Sequence, residues 1–157
     1  MSQTAELFDL PAAVNRAAAG ESLAKQRGLS SETLAFMAVV VDDLVSQGEY
    51  EKALAGCRFL CTHEDGNAQW WMLFGEVARK AGNHVQSVAA FLTGFATDAQ
   101  PRFCAELAKT YLAAQELELA AEAVATGLKI VEVDPDHAAL APQLDKLAAE
   151  ISKRQKQ

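Results

Sequence analysis

The sequence predicts an all-α fold made of repeated helix pairs, and three observations carry this prediction. Alternation of β-branched and polar residues, the signature of strands, is almost absent. Tight-turn signals recur at a fixed distance, with Gly48 and Gly82 separated by 34 residues. Between such turns, apolar and small residues recur every 3 or 4 positions, as they do from Tyr50 to Leu60.

A period of 34 residues is the length of a tetratricopeptide unit, which consists of a helix, a tight turn and a second helix. We therefore predict a single domain, a tetratricopeptide-repeat superhelix of three helix pairs with an N-terminal helical arm and a C-terminal capping helix. The predicted boundaries are 1–33 for the arm, 34–67, 68–101 and 102–133 for the three repeats, and 134–157 for the capping helix.

The N-terminal arm is rich in alanine between Ala5 and Ala19 and has too little apolar surface to form a core of its own. An exposed apolar patch usually marks an interface, so we expect the protein to form a homodimer through this arm. The residues expected at the dimer interface are Leu7, Phe8, Leu10 and Val14.

Small residues stand on the helices of the first two repeats where paired helices are expected to meet. Ala53, Gly75 and Gly94 allow paired helices to approach closely, and we expect Trp71 and Phe91 to fill the space between one pair and the next. The pattern therefore predicts a packed interior made by alternation of small and aromatic side chains.

The third repeat continues the pattern one residue out of phase, and it lacks the turn glycine. After it, the triplet from Asp134 to Asp136 is a helix start signal. An apolar stripe then predicts a capping helix with one buried face. The stripe consists of Leu140, Leu144, Leu147 and Ile151.

Charge and composition exclude several function classes. The chain has 14 basic and 21 acidic residues, a net charge of -7, which disfavours nucleic acid as a partner. The longest uncharged apolar stretch, 34–41, is far shorter than the roughly 20 residues that span a bilayer. The N-terminus lacks the basic start and apolar run of a signal peptide, and the cysteine count of 3 is odd, so we expect free thiols in a reducing cytoplasm.

Residues with catalytic or metal-binding potential are sparse. The sequence has no phosphate loop, dinucleotide fingerprint, nucleophile elbow or zinc-protease motif, so an enzyme is disfavoured. His63, His84 and His137 are interpreted as solvated turn residues. Cys57 and Cys61 lie one helical turn apart and could bind a metal with His63, but Cys57 occupies a core position of the repeat. We therefore predict neither a metal nor a cofactor.

Several motifs go beyond the generic repeat. They are Gly20-x-Ser22-Leu23, the Leu60-Cys61 pair, Gly75 fifteen residues after Leu60, Phe91-x-x-Gly94, and Pro101-Arg102-Phe103 at the start of the third repeat. Through these motifs the stretch from Gly20 to Gly127 resembles the class II chaperones of bacterial type III secretion systems. These tetratricopeptide proteins hold the two hydrophobic translocator proteins before export. Ala38 and Val45 stand where the family usually has tyrosines, and His84 replaces the turn tyrosine of the second repeat.

The resemblance implies a cytoplasmic bacterial chaperone that keeps hydrophobic translocators soluble by binding their N-terminal, proline-containing segment in a concave groove. The alternative is a generic tetratricopeptide adaptor in an assembly or regulatory complex, and a regulator acting with a transcription factor is a further alternative. In such arrays the first helices of the pairs line the groove. From the repeat spacing, the expected groove residues are Ala38, Asp42, Val45, Gln69, Met72, Glu76, Arg79, Arg102, Ala105, Lys109 and Leu112.

Overall fold

The described residues form helices and turns and no strands, as predicted. The structure is a computed structural model that describes residues 18–156, so the predicted dimer contacts Leu7, Phe8, Leu10 and Val14 lie outside the described residues. The α-helices are α1 (Leu23–Gln26), α2 (Ser31–Ser46), α3 (Tyr50–His63), α4 (Ala68–Lys80), α5 (His84–Thr97), α6 (Pro101–Ala113), α7 (Leu117–Val133) and α8 (Ala141–Gln155). A 3₁₀ helix, Pro135–Leu140, lies between α7 and α8.

The helices belong to two compact units, of which the first ends at Asn67 and the second begins at Ala68. In the first unit, α2 and α3 form a pair, and the short helix α1 contacts α3. Gly56 on α3 makes this pairing close, because a Cβ added there would lie 2.6 Å from Cγ2 of the buried Val41 on α2. The glycine therefore sets the separation of the first helix pair.

The second unit contains two further pairs, α4 with α5 and α6 with α7, and helix α8 packs on α7 and α6. The third helix pair, predicted from the weakest repeat, is thus confirmed. Leu144, Leu147 and Ile151 are buried on α8, as its apolar stripe predicted, whereas Leu140 is half-buried and ends the 3₁₀ helix. The start signal at Asp134 begins the 3₁₀ helix and not α8 itself, because the Asp134 side chain accepts a hydrogen bond from the amide of Asp136.

Glycine and aromatic residues alternate between the helices of the second unit. The ring of Phe91 occupies the space where a side chain at Gly75 would lie, and the ring of Phe103 does the same at Gly94. Both rings are almost completely buried. Phe91 thus fills the interior as predicted, whereas Trp71 is only half-buried and Phe103, which was not predicted, fills the space at Gly94.

The same turn closes all three helix pairs. In each, the amide three residues after the last helical residue donates to a carbonyl five residues earlier: Glu49 to Leu44, Asn83 to Ala78 and Glu116 to Tyr111, at 2.8 to 2.9 Å. This geometry requires one residue with positive φ. Gly48 and Gly82 supply it in the first two turns, and Gln115, with φ of 65°, supplies it in the third.

Gln115→Gly is expected to stabilise the protein by about 1 kcal/mol. A left-handed conformation costs a residue with a Cβ roughly 1–2 kcal/mol, and glycine removes this cost. Part of the gain is lost again because glycine gives up more conformational entropy on folding. Gln47→Gly is the matched control, because Gln47 has a right-handed φ of -86° at the end of α2 and should lose stability instead. Urea unfolding measures both changes. Equal effects of the two substitutions would contradict the strain at Gln115.

Candidate peptide-binding surface

The groove residues predicted in the first unit lie along one side of α2. Ala38, Asp42 and Val45 follow at spacings of 4 and 3 residues, which places them on a common helical face. Ala38 and Val45 are half-buried and Asp42 is exposed. These three side chains therefore remain candidates for contact with a partner.

In the second unit, five predicted groove residues are accessible on the first helices of the pairs. Gln69 on α4 is exposed, while Glu76 and Arg79 on the same helix and Arg102 and Lys109 on α6 are half-buried. All five are polar or charged. The accessible part of this surface in the second unit is therefore polar.

The three remaining predicted groove residues are buried in the interior of the second unit. Met72, with 4% exposure, packs in a cluster with Phe91 and Phe103, and Ala105 and Leu112 belong to the cluster around Leu144. The expectation that they line a groove is corrected here. A helix turns by 100° per residue, so these positions point at the neighbouring helices while the residues one position away reach the surface.

A three-residue charge cluster joins α4 to α6. Arg79 Nη2 donates to Glu106 Oε2 at 2.6 Å, and Arg79 Nη1 donates to the backbone carbonyl of Glu106 at 3.2 Å. Lys109 Nζ donates to the other carboxylate oxygen, Oε1, at 2.6 Å. The guanidinium carbon of Arg79 also lies 5.8 Å from the ring centroid of Phe91, within the range of a cation–π contact. Glu106 thereby fixes two cations of the predicted groove at once.

Glu106 was not predicted from sequence, although it organises this surface. Its side chain is 13% exposed. Burial alone would raise its pKa, but the hydrogen bonds and charges of Lys109 and Arg79 outweigh burial, so the pKa lies below the ordinary value of 4.5. The carboxylate is therefore ionised throughout the neutral range.

Glu106→Gln is expected to destabilise the protein by about 2 kcal/mol at pH 7, between the values typical of exposed and of buried ion pairs, because it leaves Arg79 and Lys109 without their counter-charge. A carboxyl whose folded pKa is depressed stabilises above its unfolded pKa and loses that contribution as the pH falls through the folded pKa. Thermal unfolding should show that Glu106→Gln unfolds at a lower temperature than the parent. The difference in unfolding temperature should be constant above about pH 6 and should disappear below the ordinary pKa of 4.5. A difference independent of pH would contradict the ion pairing.

Buried hydroxyl groups hold the helices beneath this cluster in register. Ser87 Oγ on α5 donates to the carbonyl of Gly75 at 2.8 Å and lies 3.2 Å from Thr110 Oγ1 on α6. Both hydroxyls are buried, so each forms its hydrogen bonds with protein groups instead of water. The network links α4, α5 and α6 and gives the surface a rigid support.

His63 differs from its prediction as a solvated residue, because it is buried at the end of α3. Its Nδ1 lies 2.8 Å from the carbonyl of Phe59, and its Nε2 lies 3.0 Å from Arg27 Nη1. The carbonyl requires a proton on Nδ1 and the guanidinium donates to Nε2, so the contacts fit the neutral imidazole. The side chain thus connects the segment after α1 to α3.

The three cysteines are free and buried. Burial raises the pKa of the Cys57 and Cys61 thiols to about 12 and that of Cys104 to about 11. The thiolate, which is the nucleophile and the metal ligand, is therefore strongly disfavoured at neutral pH. Among the described residues, no group of three His, Cys, Asp or Glu side chains has the arrangement of a metal site.

No family model and no curated protein sequence matches the chain, but solved structures do. A type III secretion complex from Aeromonas hydrophila aligns with a TM-score of 0.79 at 20% identity, covering 93% of this chain and 98% of that chain. The translocator chaperone SycD of the Yersinia enterocolitica type III secretion system aligns with a TM-score of 0.74 at 19% identity, covering 82% of this chain and 97% of that chain. The chain has the fold of these chaperones. No helix within residues 18–156 is both long and apolar enough to cross a membrane.

Two solved complexes with this translocator-chaperone fold contain a bound peptide. The Yersinia enterocolitica chaperone SycD with a peptide of the translocator YopD aligns with a TM-score of 0.68 at 20% identity, covering 81% of this chain and 98% of that chain. PcrH of Pseudomonas aeruginosa with the chaperone-binding region of PopD aligns with a TM-score of 0.70 at 22% identity, covering 82% of this chain and 97% of that chain. The family resemblance found in the sequence is thus confirmed at the level of the fold.

Proposed function

We propose that this protein is a cytoplasmic bacterial chaperone that binds hydrophobic translocator proteins of a type III secretion system and keeps them soluble before export. The observation that carries the proposal is the shared fold, which extends over 93% of the chain in one alignment. Two proteins with that fold are seen with translocator segments bound. The proposal makes the protein a binding module and not an enzyme.

The described helix pairs support binding of an extended segment. Each pair is closed by the same turn, and aromatic side chains packed against glycine hold the pairs of the second unit together. The first helices of the pairs therefore form preformed surfaces, so the chaperone itself loses little conformational entropy on binding. The residues proposed to contact the cargo are Ala38, Asp42, Val45, Gln69, Glu76, Arg79, Arg102 and Lys109.

Co-expression with a co-encoded protein that contains two long hydrophobic helices tests this function. We expect the partner to accumulate in the soluble fraction only when the chaperone is present, and the two to co-purify. Recovery of soluble partners alone, with the hydrophobic protein left in the pellet, would contradict the proposal and favour a generic tetratricopeptide adaptor.

The N-terminal arm is proposed to form a homodimer when no cargo is bound. Leu7, Phe8, Leu10 and Val14 present more apolar surface than so short an arm can bury, and such surface favours association. Light scattering should show twice the chain mass for the full protein and a single chain mass for a variant that begins near Gly20. A monomer at tens of micromolar in both cases would contradict this proposal.

A further inference from the structure

The accessible surface of α4 and α6 contains more positive than negative side chains. Arg79 and Lys80 on α4 and Arg102 and Lys109 on α6 are the cations, and Glu76 and Glu106 are the carboxylates of these two helices. Arg102, Glu106 and Lys109 follow at spacings of 4 and 3 residues, so they form one stripe along α6. This local excess contrasts with the net charge of -7 of the whole chain.

Glu106 does not neutralise the cations around it. Its single charge is shared between Arg79 and Lys109, each of which donates to a different carboxylate oxygen at 2.6 Å. Arg102 forms no ion pair within 4 Å with any residue in the described range. The stripe therefore retains positive charge after its internal pairing.

The accessible cations are positioned to bind an anion. The Lys109 side chain is 38% exposed, and its ammonium has two hydrogens besides the one donated to Glu106. The Arg79 side chain is 23% exposed and is held in place by the Glu106 carboxylate and the Phe91 ring. It therefore supplies a positive charge at a fixed position next to Glu106. In such a half-buried position, salt and water screen charges less than at an open surface. A carboxylate that approached the stripe would find hydrogen-bond donors already in place.

We propose that Arg102 and Lys109 bind the side-chain carboxylate of an aspartate or glutamate in the segment that the chaperone holds. This inference rests on the proposed function, because it names the chemistry of one position in the bound peptide. Glu106 orients the Lys109 ammonium, and Arg79 anchors Glu106 while adding its own positive charge. The acidic side chain fixes the register of an extended peptide along α6, where apolar contacts alone would allow it to slide.

A random-peptide display library of 12-residue peptides, selected on the full-length chain, tests the inference and requires no identified cargo. The test variant is Arg102→Gln with Lys109→Gln. The matched control is Lys129→Gln with Lys146→Gln, which removes two exposed cations from α7 and α8. We expect peptides selected by the parent and by the control to share one aspartate or glutamate position, and peptides selected by the test variant to lack it.

Titration calorimetry then measures one selected peptide and its Gln or Asn counterpart. The acidic peptide should bind the parent about tenfold more tightly than the neutral one, and the test variant should bind both alike. Thermal unfolding by circular dichroism confirms that all variants are folded. Selected peptides without an acidic preference, or the same preference in the test variant, would overturn this inference and leave the chaperone function standing. A library that yields no binding peptide would instead contradict the proposed function, and with it this inference.

Discussion

Gly75→Leu is expected to unfold the second unit. A Cβ at this position would already overlap the ring of Phe91, and the rest of a leucine side chain would have to enter the same space. Phe91 is fully buried and packs with Met72, Phe103 and Leu107, so it could move aside only by displacing core side chains. Overpacking on this scale should cost at least about 4 kcal/mol, a large part of the stability of a typical domain.

Gly66→Leu is the control for this prediction. Nothing lies within 4 Å of a Cβ added at Gly66, and the residue is exposed in the turn between α3 and α4. Its effect should stay within about 0.5 kcal/mol. Urea unfolding followed by circular dichroism compares the two variants, and a Gly75→Leu protein as stable as the control would refute the proposed packing.

Phe103→Ala should be the most destabilising truncation in the third helix pair. The Phe103 ring is 2% exposed and fills the space beside Gly94 and Trp71. Its removal takes away buried apolar surface and leaves a cavity, which together cost about 3–5 kcal/mol. Phe36→Ala removes the same ring from a site with 68% exposure and should change stability by less than about 0.5 kcal/mol. Similar losses in the two variants would contradict the assigned core.

Much of the fold follows from local sequence signals. The glycines at positions 48 and 82 mark turns because only a residue without a Cβ adopts positive φ at low cost, and the apolar stripe of α8 follows the helical period. The third turn escaped that signal because Gln115 occupies the left-handed position. Its helix pair was still predictable from the periodic small and apolar residues of α6 and α7.

The surface was harder to predict than the core. Met72, Ala105 and Leu112 were assigned to the groove because repeat spacing identifies a helix face only to within about one residue, and one residue turns a side chain by 100°. Only the Lys109 partner of Glu106 is local, whereas its other partner, Arg79, lies 27 residues away in the sequence, so the joint contact was missed. Such a pairing depends on how α4 and α6 pack, which local patterns do not contain.

The most direct test of the chaperone assignment is a binding titration of Ala38→Glu and Ala55→Glu against the N-terminal region of the co-encoded hydrophobic protein. Ala38 lies on the proposed binding side of α2, and Ala55 is exposed on α3, so the same charge is added to a first and a second helix. Ala38→Glu should weaken binding by about 100-fold, because it places a charge against the bound segment, while Ala55→Glu should bind like the parent. Unchanged binding by Ala38→Glu together with lost binding by Ala55→Glu would show that the cargo contacts the opposite helices.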